Sequence, residues 1–176
     1  MHKHGVETRA AEAVRSRRRL VPRMLREALE RAGPAAPRGF SFLSLAAGPA
    51  SELEAIVGDA AAAGRFAITL LDQDPFALDL ARETVRRVEV ARGARLSVRY
   101  VQDSVRTMIR TRDLGRALGR HHFVYSMGLF DYLSAPVARA VLAKAWGIVR
   151  PGGTLVVGNF HASTPTRYHM AYWGDW

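Results

Sequence analysis

Residues 40–52 read FSFLSLAAGPASE, and residues 68–78 read ITLLDQDPFAL. The first run is apolar as far as Ala46, breaks at Ala47-Gly48-Pro49 and resumes as a helix from about Ser51. An apolar run closed by Gly-Pro reads as a buried strand entering a turn. The second run ends in Asp72, 24 residues after Gly48. Small residues at such a turn let a ligand approach the backbone, and the helix that follows offers unpaired amides. A carboxylate closing the second strand can accept both hydroxyls of a ribose. A dinucleotide site uses three glycines here, whereas this stretch has Gly48 alone, and Glu52 in the first turn would repel a pyrophosphate. The two motifs together favour a ligand that has a ribose and no phosphate. Each also has a plainer reading: Gly48 as a turn glycine, and Asp72 as a cap for the helix beginning near Pro75.

Outward from that pair the pattern alternates. Strands are expected at Phe40–Ala46, Phe66–Leu71, Leu96–Val101, Phe123–Met127 and Thr154–Phe160, the last entered through a Pro151-Gly152-Gly153 turn. Helices are expected at Ser51–Ala63, Pro75–Ala91, Val105–Leu118 and Pro136–Val149. Successive βαβ units of this kind favour a parallel sheet with helices on both faces, and right-handed crossovers make a doubly wound α/β fold the simplest topology. Before the first strand, residues 8–32 carry apolar side chains at helical intervals, and Gly33-Pro34-Ala35-Ala36-Pro37 ends that helix.

The chain has 176 residues, enough for one core, so a single domain is expected, with a basic N-terminal helix and linker over 1–38, a nucleotide-binding domain over 39–160 and an aromatic tail over 161–176. No apolar run approaches the roughly 20 residues that cross a bilayer, and charges occupy the start of the chain, so a cytoplasmic protein is expected. Cysteine is absent, which excludes disulfides and thiolate chemistry. His2, His4, His121 and His122 lack metal-site spacing, so no metal is expected. The net charge of +10 is concentrated in residues 1–38 and 82–120. A basic surface attracts polyanions, yet arginines at helical spacing also describe a solvated face, the reading favoured here.

The segments LSLAAGPASE, LLDQDPFAL, YVQDSV, FVYSMGLFDYL and VRPGGTLVVGNF, spread over residues 39–160, resemble class I S-adenosylmethionine-dependent methyltransferases. The last two are similar to a bacterial subgroup that makes 3-hydroxy fatty acid methyl esters, such as 3-hydroxypalmitate methyl ester. The resemblance implies a Rossmann-like, doubly wound, mostly parallel sheet and S-adenosylmethionine as cofactor, with S-adenosylhomocysteine as product. It places Ala46, Ala47 and Gly48 under the amino acid part of the cofactor, Asp72 on the ribose and Gln73 beside the adenine. Asp103 would accept from the adenine amino group, with Ser104 and Val105 adding backbone and ring contact, while Ser126, Met127 and Gly128 would line the methyl-transfer mouth. Asp103 has a helix cap as its plainer reading. Two departures stand out: alanine replaces the first and third glycines of the family loop, and His122 stands where many relatives have an acidic residue.

A carboxylate acceptor is ionised at neutral pH and needs no base, which suits a chain without a nucleophile or triad. An acyl carboxylate is therefore the expected acceptor, oriented by Asp131 and Tyr132 as catalytic candidates; Phe130, Asn159 and His161 stand nearby. The Arg-rich first helix would cover the pocket and present cations to that carboxylate, or simply pack with a solvated basic face. Two rival functions remain: an RNA or DNA methyltransferase using the basic surface, although no Asn-Pro-Pro-Tyr type motif follows the fourth strand, and a non-catalytic cofactor-binding remnant acting as a partner subunit. Family members usually add a C-terminal antiparallel hairpin after the fifth strand. Its apparent lack here leads to the expectation of a truncated product or of self-association through the fifth-strand edge.

Overall fold

The computed structural model describes residues 9–33 and 39–161. Five strands form one sheet in the order β3-β2-β1-β4-β5, and every pairing is parallel. In chain order the elements are α1 (Arg9–Ala32), β1 (Phe40–Leu45), α2 (Leu53–Ile56), α3 (Ala60–Ala63), β2 (Phe66–Asp72), α4 (Pro75–Arg92) and β3 (Ser97–Gln102). They continue with α5 (Val105–Arg110), α6 (Leu114–Leu118), β4 (His121–Ser126), a 3-10 turn (Phe130–Tyr132), α7 (Ala135–Gly147) and β5 (Val149–Val157). Among the described residues this is the doubly wound α/β architecture that the alternation implied.

The sheet is covered on both faces because its strands alternate with period two between two apolar sets. Phe40 and Phe42 of β1, Phe66, Ile68 and Leu70 of β2, and Phe123 and Tyr125 of β4 join one core with α1, α2 and α4. Leu43, Leu45, Leu71 and Val124 face the other way, onto α5, α6 and α7. The first core is aromatic at its centre: Phe66 meets Phe40 and Phe42 edge-on at 6.3 and 5.6 Å, an arrangement that suits the ring quadrupoles. α1 contributes Val21, Leu25 and Ala28, all buried at helical spacing.

Three segments depart from the sequence expectation. The helix expected over Ser51–Ala63 is two four-residue helices, because the chain turns out at Val57-Gly58 and Asp59 starts a new helix by accepting the Ala62 amide. The helix expected over Val105–Leu118 likewise breaks, with Thr111 extended and Asp113 capping α6 through the Arg116 amide. β5 begins at Val149 and ends at Val157, so Pro151-Gly152-Gly153 lies inside the strand as an irregularity: a step of two residues on β4, His121 to Phe123, is matched by five on β5, Val149 to Thr154. Gly153 is required there, since a Cβ would stand 2.8 Å from the His122 carbonyl oxygen. The linker at 34–38 and the tail from 162 to 176 lie outside the described residues, as do His2 and His4.

The strand order determines where a ligand can sit. From β1 the chain proceeds to β2 and β3 on one side and then returns to β4 and β5 on the other. The connections after β1 and β4 therefore leave the sheet on opposite faces and open a crevice beyond the carboxyl ends of these strands.

Candidate functional site

A cavity of about 380 Å³ lies at that crevice, inside the roughly 300–1,000 Å³ range of small-molecule sites. Seven of the residues singled out from sequence line it: Ala46, Asp72, Gln73, Asp103, Val105, Gly128 and Tyr132. The remaining lining is apolar, from Leu45, Leu71, Met108, Leu129 and Leu133. Those five escaped the sequence reading because apolar residues at strand ends and in short helices look like core.

Asp72 is the hub of one wall. It is buried, and its Oδ2 accepts from the Gly48 amide at 2.8 Å while Oδ1 accepts from the Asp74 amide at 3.0 Å. The carboxylate thus ties the turn after β1 to the turn after β2. The helix cap near Pro75 is Asp74, which accepts from the Phe76 amide at 2.9 Å. Asp72 also accepts the Asp103 amide through its backbone carbonyl at 3.0 Å, which brings the end of β3 alongside. The Asp103 Oδ1 accepts from the Ser104 amide at 2.7 Å, and Ser104 itself caps α5 through the Thr107 amide at 3.2 Å. Ala47 is buried and donates its amide to Leu71, so it braces the turn without lining the cavity.

The turn after β1 is left-handed at three alternate positions, Ala46 (φ 55°), Gly48 (φ 54°) and Ala50 (φ 50°). Each of the two alanines carries a strain of about 1–2 kcal/mol in this region. Glu52 lies just beyond. It accepts a 2.6 Å hydrogen bond from the hydroxyl of Tyr125, whose ring is buried in β4. Burial first, and the Glu52 charge second, push the Tyr125 hydroxyl well above its ordinary pKa.

The other wall is the segment from Met127 to Leu133 after β4. Ser126 is fully buried at the end of β4, and its Oγ has no hydrogen-bond partner among the described residues. The Met127 carbonyl accepts from Arg17 of α1 at 2.6 Å. Asp131 does not line the cavity; its Oδ2 is held by Arg17 at 2.6 Å, and its Oδ1 accepts the Phe160 amide at 2.9 Å. Tyr132 lines the cavity and is 60% exposed, while Phe130 is buried in the second core. Arg17 had no local signal in the sequence, being one arginine of an Arg-rich helix.

At the opposite end of β4 the histidines serve the sheet. Burial lowers the His121 pKa to about 4, so the ring is neutral; its Nε2 lies 3.2 Å from the Leu118 carbonyl oxygen. His122 stacks on Phe40 at 4.8 Å and accepts the Ser41 amide through Nδ1 at 3.0 Å. Burial and the neighbouring Arg150 lower its pKa as well.

No protein-family model matches the sequence, and no curated protein does. Solved structures share the fold. An O-methyltransferase family protein from Burkholderia thailandensis superposes with a TM-score of 0.54 at 22% identity, covering 82% of this chain and 39% of that one. The S-adenosylmethionine-dependent methyltransferase SibL gives 0.51 at 22% identity over 80% of this chain and 38% of its own. The CurJ carbon methyltransferase gives 0.62 at 17% identity over 89% and 38%. The chain thus spans about two fifths of the length of these proteins. The shared architecture is the Rossmann-like class I methyltransferase fold.

Proposed function

We propose that this chain binds S-adenosylmethionine in the cavity beyond β1, β2 and β3 and transfers its methyl group to a small molecule. The observation that carries this reading is the pair of carboxylates, Asp72 and Asp103, in a mostly apolar cavity at the strand-order switch. These acceptors suit a nucleoside, taking hydrogen bonds from ribose hydroxyls and an adenine amine, with apolar walls for the base. They do not suit a phosphate, since the lining contains no cation.

When bound, the cofactor supplies a methyl group made electrophilic by its sulfonium. The residues of this chain bind and orient. Asp72 keeps acceptor capacity, because each of its oxygens is engaged by one backbone amide and has a second lone pair. Asp103 accepts beside α5, and Ala46 and Gly128 leave room for close approach of a ligand to the backbone. Leu129, Tyr132 and Leu133 exclude water from the mouth, where methyl transfer depends on in-line positioning in a dry site.

An acyl carboxylate remains the acceptor class we assign, supported by the apolar mouth at Leu129 and Leu133 and by the fact that such an acceptor is ionised at neutral pH and needs no base to activate it. Arg17 is not its anchor, since that cation is already committed to Asp131.

Calorimetric titration with S-adenosylhomocysteine tests the reading. Asp103→Asn is the informative variant, because the amide oxygen can still accept from Ser104 while the charge at the cavity is removed. Micromolar binding by the intact chain, weakened about tenfold in Asp103→Asn, is expected. No binding by the folded wild type refutes the proposal, and salt-sensitive binding to an oligonucleotide would favour a nucleic-acid acceptor in place of an acyl carboxylate.

A further inference from the structure

The segment Met127–Leu133 contributes Gly128, Leu129, Tyr132 and Leu133 to the cavity, yet its only regular structure is a three-residue 3-10 turn. Such a turn has little stability of its own, so its place is set by whatever anchors it. The Arg17 side chain, 11% exposed, is one shared anchor. Its Nη1 donates to the Met127 carbonyl and to Asp131 Oδ2, both at 2.6 Å, and Nη2 donates to Asp131 Oδ1 at 3.2 Å. The guanidinium carbon also stands 4.3 Å from the centre of the Phe160 ring. Asp131, 4% exposed at its side chain, completes the tie by accepting the Phe160 amide. At Gly158 a Cβ would lie 3.3 Å from Arg17 Cδ and 3.2 Å from Met127 Sδ, so a glycine there makes room for the tie.

We infer that Arg17 is a positioning residue: it sets the exit loop of β4, and with it one wall of the cavity, so that α1 is a working part of the site. The consequence for cofactor binding rests on the function proposed above; the positioning itself does not. The chemistry requires arginine. A planar fork reaches a carbonyl and both oxygens of a carboxylate together, whereas a lysine offers a single point charge. Removing either partner leaves a buried charge without its counterion, and the loop then moves to find water. Asp131 accordingly acts through the loop, as the second half of the tie.

The test compares the full chain with Arg17→Met, Arg17→Lys and Asp131→Asn. Amide hydrogen exchange is read over residues 127–133, with β1 and β2 as the internal reference, and S-adenosylhomocysteine titration is run in parallel. In Arg17→Met, exchange over 127–133 accelerates about tenfold or more while β1 and β2 keep their protection, and affinity for S-adenosylhomocysteine falls about tenfold. Arg17→Lys recovers part of both effects, and Asp131→Asn loosens the same loop. A folded Arg17→Met with wild-type exchange over 127–133 overturns the inference. Should Arg17→Met fail to fold, the other two variants decide: loop-specific acceleration supports positioning, and uniform acceleration through β1 and β2 overturns it. If the wild type binds no S-adenosylhomocysteine and the loop still loosens, the cofactor proposal fails and the positioning role stands.

Discussion

The two walls of the cavity are held in different ways. On the side of β1, β2 and β3, one carboxylate accepts two backbone amides, Gly48 and Asp74, from the turns that adjoin its own strand and its neighbour. On the side of β4, the exit loop is held by Arg17, which lies 110 residues before Met127 and belongs to a helix outside the βαβ succession. The first wall follows from strand pairing. Once β1 and β2 are in register, with Leu45 opposite Leu71, Asp72 stands beside the turn it must brace. The second wall depends on a long-range docking event and so should be the more separable of the two.

The largest expected effect comes from breaking the first wall. Asp72→Ala leaves two amides without a charged acceptor and should cost about 2–4 kcal/mol in denaturant unfolding. Loss of ligand binding in that variant would then report a collapsed turn as much as a missing ribose contact. Asp72→Asn, which keeps an acceptor oxygen, should cost clearly less.

Acid should weaken the sheet without choosing between the walls. His121 is buried neutral, with its pKa lowered from 6.5 to about 4. Protonation is therefore easier in the unfolded chain, and stability present above pH 6.5 is lost as pH falls toward 4, by up to about 3 kcal/mol. Thermal melts of the wild type across that window should shift steeply, and those of His121→Phe should shift less.

Tyr125 and Glu52 join the β4 half of the molecule to the helix that follows the first turn. Removing that hydroxyl in Tyr125→Phe should cost about 1–2 kcal/mol by thermal or denaturant unfolding at neutral pH. Because the folded Tyr125 has a raised pKa, the stability tied to its neutral form is complete below pH 10 and lost above it; alkaline melts of the variant should lack that component. The smallest effect has the opposite sign. Ala46→Gly relieves a left-handed alanine at the cost of chain entropy, for a net gain of up to about 1 kcal/mol, measurable as a small rise in Tm.

Much of the first wall was legible. Ala46 and Asp72 could be placed at one crevice because strand ends, turns and their spacing are local properties of the chain, while Gln73, Asp103 and Val105 were placed there by the family resemblance. The left-handed path through Ala46 and Ala50 was not, since neither residue advertises a positive φ. The breaks at Val57-Gly58 and at Thr111–Asp113 fall at weak helix formers and cap residues, but apolar residues recur on both sides, and only docking on the sheet decides that each short helix stops there. β5 was assigned a late start because Pro-Gly-Gly ordinarily closes a strand, whereas here the pairing with β4 resumes beyond it.

On the second wall, the resemblance put Gly128 at the methyl-transfer mouth, and Asp131 and Tyr132 were both expected to orient the acceptor. The fold brings Gly128 and Tyr132 to the cavity and turns Asp131 to Arg17. Periodicity and turn chemistry alone thus determined the order of elements, the doubly wound topology and the crevice, because these depend on residues that are neighbours along the chain or in an adjacent strand. The partners of Arg17, Asp131, Glu52 and Tyr125 were decided only by the tertiary structure. Each of these is a polar side chain whose burial obliges it to find a partner, and which partner it finds depends on packing between distant segments.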